Sequence, residues 1–353
     1  LDRDVDGDAA WIGDTDIPDG GKIHLSGACL DELRAAAQTL RDNPLPLLAV
    51  SRDDFDLDAC SALMGNVKRV LDDGIGFAII DRLPLDDLST EEAEACYWLL
   101  GSMLGRPVAQ KFDGLMKYDV RDTGKQPLAG NGVRSSITNK GQSYHTDNSY
   151  DLAPDYVALM CFQPSMEGGV SGLVSFQTVH NELRKRHPDL LERLYKPFYF
   201  DRQREHADSD ALISQSPVFR CVDGRLSVRF SERLIEQACE MRGEDFDAEG
   251  RKAIDAMLEI MNAPGMDKEF QFERGQIQQH QPVFALEGDD HLLFVGKDED
   301  VLAVARGGRH LCTGVEGGGD VADDRVDARD RAAFARDHEA LPGRAQLVGL
   351  TRQ

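Results

Sequence analysis

The sequence lacks the features that mark several common classes of protein. It has no apolar run near the roughly 20 residues needed to span a bilayer, and its start has neither the basic segment nor the apolar stretch of an export signal. Its seven cysteines are odd in number and include no C-x-x-C pair, which argues against a disulfide framework and a zinc ribbon. No G-x-G-x-x-G or phosphate-loop glycine pattern supports a nucleotide site.

Basic residues are also far fewer than acidic ones. The chain has 40 basic and 63 acidic residues, a formal net charge of −23, and this field would repel nucleic-acid phosphates and anionic membranes. With 353 residues, of which 41% are hydrophobic, the chain can bury a sizeable core. We therefore expect a cytoplasmic globular protein with no nucleic-acid or membrane partner, and the choice between monomer and homo-oligomer stays open.

The first third of the chain is predicted to be mainly helical. Apolar residues recur at helical spacing in 29–42 and 58–74, and Ser89 with Glu92 forms a capping-box pattern at the start of 89–105. The apolar run 76–84 is typical of a buried strand. These elements define a predicted N-terminal helical or α+β region, residues 1–105, which packs on a core of residues 106–353 as one compact unit.

Strands and turns dominate the second region. Residues 155–163 and 172–179 are apolar runs, 268–278 continues the strand pattern, and 218–230 is typical of a hairpin with Asp223-Gly224 at its turn. Helical patterns at 179–195 and 247–263 interrupt these strands. The predicted fold is therefore mainly β with helical decoration (α+β), a sandwich or barrel rather than a parallel doubly wound sheet.

The motif with the most chemical content is His145-Thr146-Asp147. On a strand, His145 and Asp147 would point to the same side and Thr146 to the other, so an imidazole and a carboxylate could bind one divalent metal. A second, distant histidine would complete a two-histidine, one-carboxylate face. The alternative is a hydrogen-bonded pair at a strand edge. The same spacing also occurs at His187-Pro188-Asp189 and His206-Ala207-Asp208, so the triplet alone does not decide.

The context of the triplet resembles the taurine dioxygenase and clavaminate synthase-like family of Fe(II)/2-oxoglutarate oxygenases. The resemblance covers "HTDNSY", the strand and Gly-Gly turn of "DYVALMCFQPSMEGGVSGLVSF", the helix that follows, the opening from Trp11, and "FERGQIQ", roughly residues 9–278. It implies a double-stranded β-helix (jelly-roll) core. It also implies that His145 and Asp147 are iron ligands and that Ser171 contacts the carboxylate of the cosubstrate 2-oxoglutarate.

The resemblance ends near residue 280. The position expected for the second metal histidine holds Glu287 or a neighbour, and residues 280–353 contain no Ile, Asn, Ser, Met, Tyr or Trp. A divergent tail and a stretch read out of frame both explain this composition. Among His280, His291 and His310, the order of residues favours His291 as the third ligand. It likewise favours Arg309, with Arg306 as the alternative, as the partner of the distal carboxylate of 2-oxoglutarate.

The resemblance implies an Fe(II)- and 2-oxoglutarate-dependent dioxygenase that uses O₂ to hydroxylate or otherwise oxidise a C–H bond of a small molecule, releasing succinate and CO₂. An amino acid or small acid derivative is the expected substrate. The intact Asp147 favours hydroxylation or desaturation over halogenation, because related halogenases have a small residue there. A non-catalytic binding protein with an incomplete metal site is the alternative. A metal hydrolase has no H-E-x-x-H motif to support it.

Overall fold

The computed structural model describes residues 3–13, 16–126, 128–138, 141–151, 153–165, 168–222, 224–281, 284–287 and 291–296. All of them fall within one compact unit. The helices in this part of the chain are α1 Gly27–Asp42, α2 Asp58–Asp73, α3 Thr90–Leu104, α4 Phe176–Arg186, α5 Pro188–Leu194, α6 Glu232–Arg242 and α7 Ala248–Met261. The division at residue 105 stays a prediction.

The strands form two facing sheets and two hairpins. They are β1 Lys22–Ile23, β2 Phe77–Ile80, β3 Arg106–Pro107, β4 Tyr156–Met160, β5 Val170–Ser175, β6 Pro197–Asp201, β7 Ile213–Pro217, β8 Phe219–Val222, β9 Arg225–Val228, β10 Asp267–Gln271, β11 Ile277–His280, β12 Phe284–Glu287 and β13 His291–Gly296. One sheet has the order β1-β2-β11-β4-β13-β3 and the other β10-β5-β12, while β6-β7 and β8-β9 are hairpins. The predicted α+β class is thus confirmed as a mixture of helices and strands.

The two faces of the six-stranded sheet lie in different cores. Along β4, Tyr156, Ala158 and Met160 pack against α1, α2 and α3, whereas Val157 and Leu159 share a core with Leu173 of β5. This alternation follows from the two-residue period of a strand. Since both faces are covered, β4 is apolar throughout, as the sequence indicated.

Local signals in the sequence set most element boundaries. Helix α3 begins at a complete capping box, in which Ser89 Oγ accepts from Glu92 N and the Glu92 carboxylate accepts from Ser89 N. The predicted hairpin at 218–230 is confirmed as β8-β9. The single helix predicted over 179–195 is wrong, because the chain leaves helical geometry at His187 (φ −140°, ψ 60°), directly before Pro188, and forms α4 and α5.

A second group of helices packs on the outer face of the three-stranded sheet. Val174 of β5 lies in a core with residues of α4, α5, α6 and α7, including Val179, Leu194, Ile235 and Met257. Within the parts of the chain described above, no helix is both long enough and apolar enough to span a bilayer.

Candidate active site

A pocket of about 190 Å³ opens between the sheets and the start of α6. Its walls come from distant parts of the sequence, and they include His145, Asp147, Leu159, Ser171, Arg233 and Gln278. Residue alternation explains the contribution of the strands: Leu159 and Gln278 are paired across β4 and β11 and therefore face the same side of the sheet. This volume suits a small molecule.

The segment that carries His145 and Asp147 is a loop, so the strand considered for it is wrong. Its central residue, Thr146, is nevertheless fixed as firmly as a strand residue. Thr146 N donates to Phe230 O (2.8 Å), and Phe230 N donates to Thr146 Oγ1 (3.0 Å). All three residues line the pocket; Thr146 is buried, whereas His145 and Asp147 are partly exposed. Burial therefore alternates along the triplet without a sheet around it.

His145 and Asp147 face each other in the pocket. His145 Nε2 lies 3.9 Å from Asp147 Oδ1, and His145 Nδ1 lies 2.9 Å from the carbonyl oxygen of Ser143. A carbonyl only accepts hydrogen bonds, so Nδ1 carries the proton and a neutral His145 presents a bare Nε2 to the pocket. An imidazole lone pair and a carboxylate side by side are two donors that suit a divalent metal ion.

Ser171 joins this pair from the opposite sheet. It lies on β5, paired with Phe270 of β10, and its buried side chain lines the same pocket. The structure thus places together His145, Asp147 and Ser171, which lie up to 26 positions apart in the sequence. A serine hydroxyl can donate one hydrogen bond, and a carboxylate in the pocket could accept it.

His280, at the end of β11, is a fully buried histidine on the pocket side of the sheet. It follows the pocket residue Gln278 by two positions, so both face the same way. His280 Nδ1 donates to Gln281 O (2.8 Å), and its Nε2 has no hydrogen-bond partner among the described residues. Burial lowers the pKa of His280; the Asp147 carboxylate opposes this shift and His145 adds to it. His280 therefore has a ring nitrogen without a proton, and the charges of His145 and Asp147 both affect its pKa.

The side chains of the pocket have the nitrogen and oxygen donors that an iron site requires, although the described residues do not form a complete set of three ligands. His145 and Asp147 supply adjacent nitrogen and oxygen donors, and a buried, unpaired imidazole nitrogen such as that of His280 is what a third ligand requires. In the described part of the chain, no three His, Cys, Asp or Glu side chains converge closely enough to hold a metal ion.

The remaining predicted residues fall partly or wholly outside the described part. The backbone of His291 lies in β13, paired with Met160, but its side chain lies outside the described residues. Arg306, Arg309 and His310 lie outside it altogether, so their predicted roles stay predictions.

Two arginines of the pocket were not predicted. Arg134 donates to Tyr150 Oη (3.0 Å) and pairs with Glu205 (3.0 Å). Arg233 lies in the first turn of α6, a helix that was not predicted, and its Nη1 donates a hydrogen bond to Gln237 Oε1 (3.1 Å). Ser231, three positions before the buried Leu234, is the N-cap and was the signal available for finding this helix.

The sequence and the fold of the chain are both similar to those of known proteins. The chain is 26% identical over 248 residues to FR-33289 synthase of Streptomyces rubellomurinus (strain ATCC 31215), covering 70% of this chain and 72% of that protein. A solved asparagine oxygenase in complex with Fe(II), 2S,3S-3-hydroxyasparagine and succinate has a similar fold, with a TM-score of 0.57 and 15% identity over 79% of this chain and 94% of that one.

A second solved fold is also similar. The non-heme iron oxygenase OrfP, in complex with Fe, succinate and (3R,4R)-dihydroxy-L-Arg, gives a TM-score of 0.56 and 13% identity over 84% of this chain and 99% of that one. Residues 41–279 match the family described as "Taurine catabolism dioxygenase TauD, TfdA family". The chain belongs to this family, which confirms the predicted enzyme class, a 2-oxoglutarate-dependent non-haem iron dioxygenase, and its predicted cofactors, Fe(II) and 2-oxoglutarate.

Proposed function

We propose that this dioxygenase hydroxylates an unactivated C–H bond of an amino acid or a small acid derivative in the pocket around His145 and Asp147. The observation that carries the proposal is the 3.9 Å approach of His145 Nε2 to Asp147 Oδ1 on the wall of that pocket. The related asparagine oxygenase and OrfP were both solved with hydroxylated amino acids and succinate. These products support an amino acid-like substrate for this chain. A double-stranded β-helix core is part of the proposal.

His145 and Asp147 would hold the iron from one side, and a second imidazole would complete the three protein ligands. We propose His280 for this role because its buried Nε2 has no hydrogen-bond partner in the described part of the chain; His291, which the order of residues favoured, is the alternative. Iron and 2-oxoglutarate, when bound, supply the chemistry that couples reduction of O₂ to formation of succinate, CO₂ and an alcohol.

The protein's own residues position the bound groups and keep bulk water away from them. The hydrogen bond from His145 Nδ1 to Ser143 O fixes the ring so that Nε2 keeps its lone pair toward the pocket. Ser171 would donate a hydrogen bond to a carboxylate of 2-oxoglutarate, and Arg309 is proposed to bind the distal carboxylate. Buried Leu159 and Tyr150 cover part of the pocket wall, which limits access of bulk water to the reacting C–H bond.

The test uses the weak visible charge-transfer band that Fe(II) and 2-oxoglutarate give together under anaerobic conditions in a complete site. We expect the wild type to show the band and to release succinate when O₂ is admitted. Asp147→Asn should lose both. Asp208→Asn, at the exposed end of the His206-Ala207-Asp208 triplet, is the matched control and should keep both. A wild-type protein without the band would instead support the non-catalytic binding protein.

The third ligand is tested in the same assay. His280→Gln should lose the band if His280 binds the metal, and His291→Gln should then retain it; the opposite pattern would assign His291. Circular dichroism of each variant identifies a loss caused by unfolding. Cytoplasmic location and homo-oligomerisation stay predictions.

A further inference from the structure

The starting observation is a partly buried arginine in the pocket that forms no ion pair among the described residues. Arg233 lines the pocket, and among the described residues its guanidinium makes one hydrogen bond, to Gln237 Oε1 (3.1 Å), and no ion pair. Two other arginines in this region form ion pairs: Arg134 with Glu205 at 3.0 Å, and Arg202 with Asp151 at 3.5 Å. Arg233 therefore keeps most of its donors free for a ligand.

Partial burial removes water from the Arg233 guanidinium, which costs free energy when no ligand replaces that water. Burial lowers the pKa of Arg233; the charge of Asp201 opposes the shift, and that of Arg134 adds to it. A guanidinium removed from water is normally stabilised by an anion with which it forms two parallel hydrogen bonds. Since no described carboxylate fills this role, an anionic group of the ligand is the remaining candidate.

Among the charged side chains that line the pocket, arginines outnumber carboxylates. The pocket contains the guanidinium groups of Arg134 and Arg233 and a single carboxylate, that of Asp147, although the chain as a whole carries 63 acidic and 40 basic residues. Arg233 also lies in the first turn of the 11-residue helix α6, where backbone N–H groups favour negative charge. Since Arg134 is paired with Glu205, Arg233 is the arginine of the pocket that has no ion pair among the described residues.

We propose that Arg233 is a specificity-determining residue that binds an oxyanion of the substrate, a carboxylate, sulfonate or phosphonate, while His145 and Asp147 hold the metal. This deepens the proposed function and rests on it. The oxyanion is distinct from 2-oxoglutarate, whose carboxylates are assigned to Ser171 and Arg309. Substrates with an uncharged group in place of the oxyanion would leave Arg233 buried and unpaired, so they would be rejected.

The experiment compares matched ligands and matched variants. The ligands are L-asparagine and L-asparaginamide, taurine and its sulfonamide, and 2-aminoethylphosphonate and its diethyl ester. Binding is measured by calorimetry on the metal-free protein and by the change in the Fe(II)/2-oxoglutarate band on the loaded protein. The variants are Arg233→Gln, Arg233→Lys and, as control, Arg220→Gln, which removes an exposed arginine from β8.

We expect at least one anionic ligand to bind the wild type more tightly than its neutral partner. Arg233→Gln should weaken that binding roughly 10- to 100-fold, Arg233→Lys should weaken it less, and Arg220→Gln should leave it unchanged. The band with 2-oxoglutarate alone should stay intact in all three variants. The preferred pair tells whether the oxyanion is a carboxylate, a sulfonate or a phosphonate.

Three results would overturn the inference: no anion of the panel binds, neutral partners bind as well as anions, or Arg233→Gln binds anions like the wild type. Loss of the 2-oxoglutarate band in a folded Arg233→Gln would assign the residue to the cosubstrate instead. Failure of the proposed function is separate, because a wild type without the band can still be tested for anion binding by calorimetry.

Discussion

Thr146 and Phe230 exchange two hydrogen bonds across 84 positions of sequence, with Thr146 N donating to Phe230 O and Phe230 N donating to Thr146 Oγ1. These bonds connect the loop that carries His145 and Asp147 to the segment that leads into α6. The loop itself belongs to no sheet, so this contact takes the place of a ladder in fixing the two proposed ligands.

Thr146→Val should therefore loosen the site. The change keeps the shape of the side chain but leaves Phe230 N without its acceptor, at an expected cost of about 1 to 3 kcal/mol in the free energy of unfolding. We also expect the Fe(II) concentration for half-maximal succinate release to rise roughly tenfold, because the ligands lose support. Thr146→Ser keeps the hydroxyl and should stay close to the wild type. Equal iron affinity in both variants would contradict this role.

Gly275, in the turn before β11, has no room for a side chain. Its φ is +88°, and a Cβ atom there would lie 2.5 Å from Leu83 O. Gly275→Ala should cost at least about 2 kcal/mol of unfolding free energy in urea titrations, and it should also disturb Gln278 and His280 on the strand that follows. Gly243→Ala is the matched control: its φ is +64° with nothing within 4 Å, so only the backbone cost of about 1 kcal/mol should appear.

His180 should make the protein less stable at acidic pH. It is fully buried beside Tyr195 Oη (2.9 Å), and burial lowers its pKa to about 4. The unfolded chain takes up this proton near pH 6.5 and the folded chain only near pH 4, so stability falls as the pH decreases through that window. The loss has an upper limit of about 3 kcal/mol.

Urea titrations between pH 7.5 and 4.5 measure this effect. His180→Asn should flatten the dependence of the unfolding free energy on pH, whereas His206→Gln, in a loop outside the cores, should keep the wild-type slope. An unchanged slope in folded His180→Asn would show that other groups cause the acid sensitivity.

The start of α3 offers a test of local stabilisation far from the pocket. Ser89 caps the helix, and the Glu92 carboxylate also accepts hydrogen bonds from Arg41 Nε (2.7 Å) and Nη2 (2.9 Å). Ser89→Ala should cost about 1 kcal/mol in thermal or urea unfolding, and Ser89→Asp should recover most of it. Neither variant should alter succinate release, because α3 packs on the face of the six-stranded sheet away from the pocket.

The sequence predicted elements whose signals are local. The apolar periodicity of 58–74, the capping box at Ser89 and the Asp-Gly turn of the 218–230 hairpin each specify their own structure, and the structure has all three elements. Helix α6 was missed because it is short, highly charged and follows the hairpin directly, so its apolar face is visible only once Leu234 and Ile235 are placed in the core.

The site was only partly predictable, for a different reason. His145 and Asp147 lie in one motif, and the resemblance predicts them as ligands; the structure places both on the wall of one pocket. Whether a distant histidine faces the pocket depends on the register of β11 against β4, which pairs His280 with Val157 and is not encoded near His280 itself. In the sequence, Arg233 looks like any solvated arginine. Its proposed role depends on the absence of an ion pair to its guanidinium among the described residues.

The contact between Thr146 and Phe230 also has a consequence for selectivity. Phe230 anchors the loop with the proposed iron ligands, and Arg233, three positions later, is the proposed anchor of the substrate. If Arg233 binds the oxyanion, the four residues 230–233 would set the distance from the oxyanion to the carbon that is oxidised. Homologous substrates one methylene longer or shorter should be oxidised at a shifted carbon or consume 2-oxoglutarate without product.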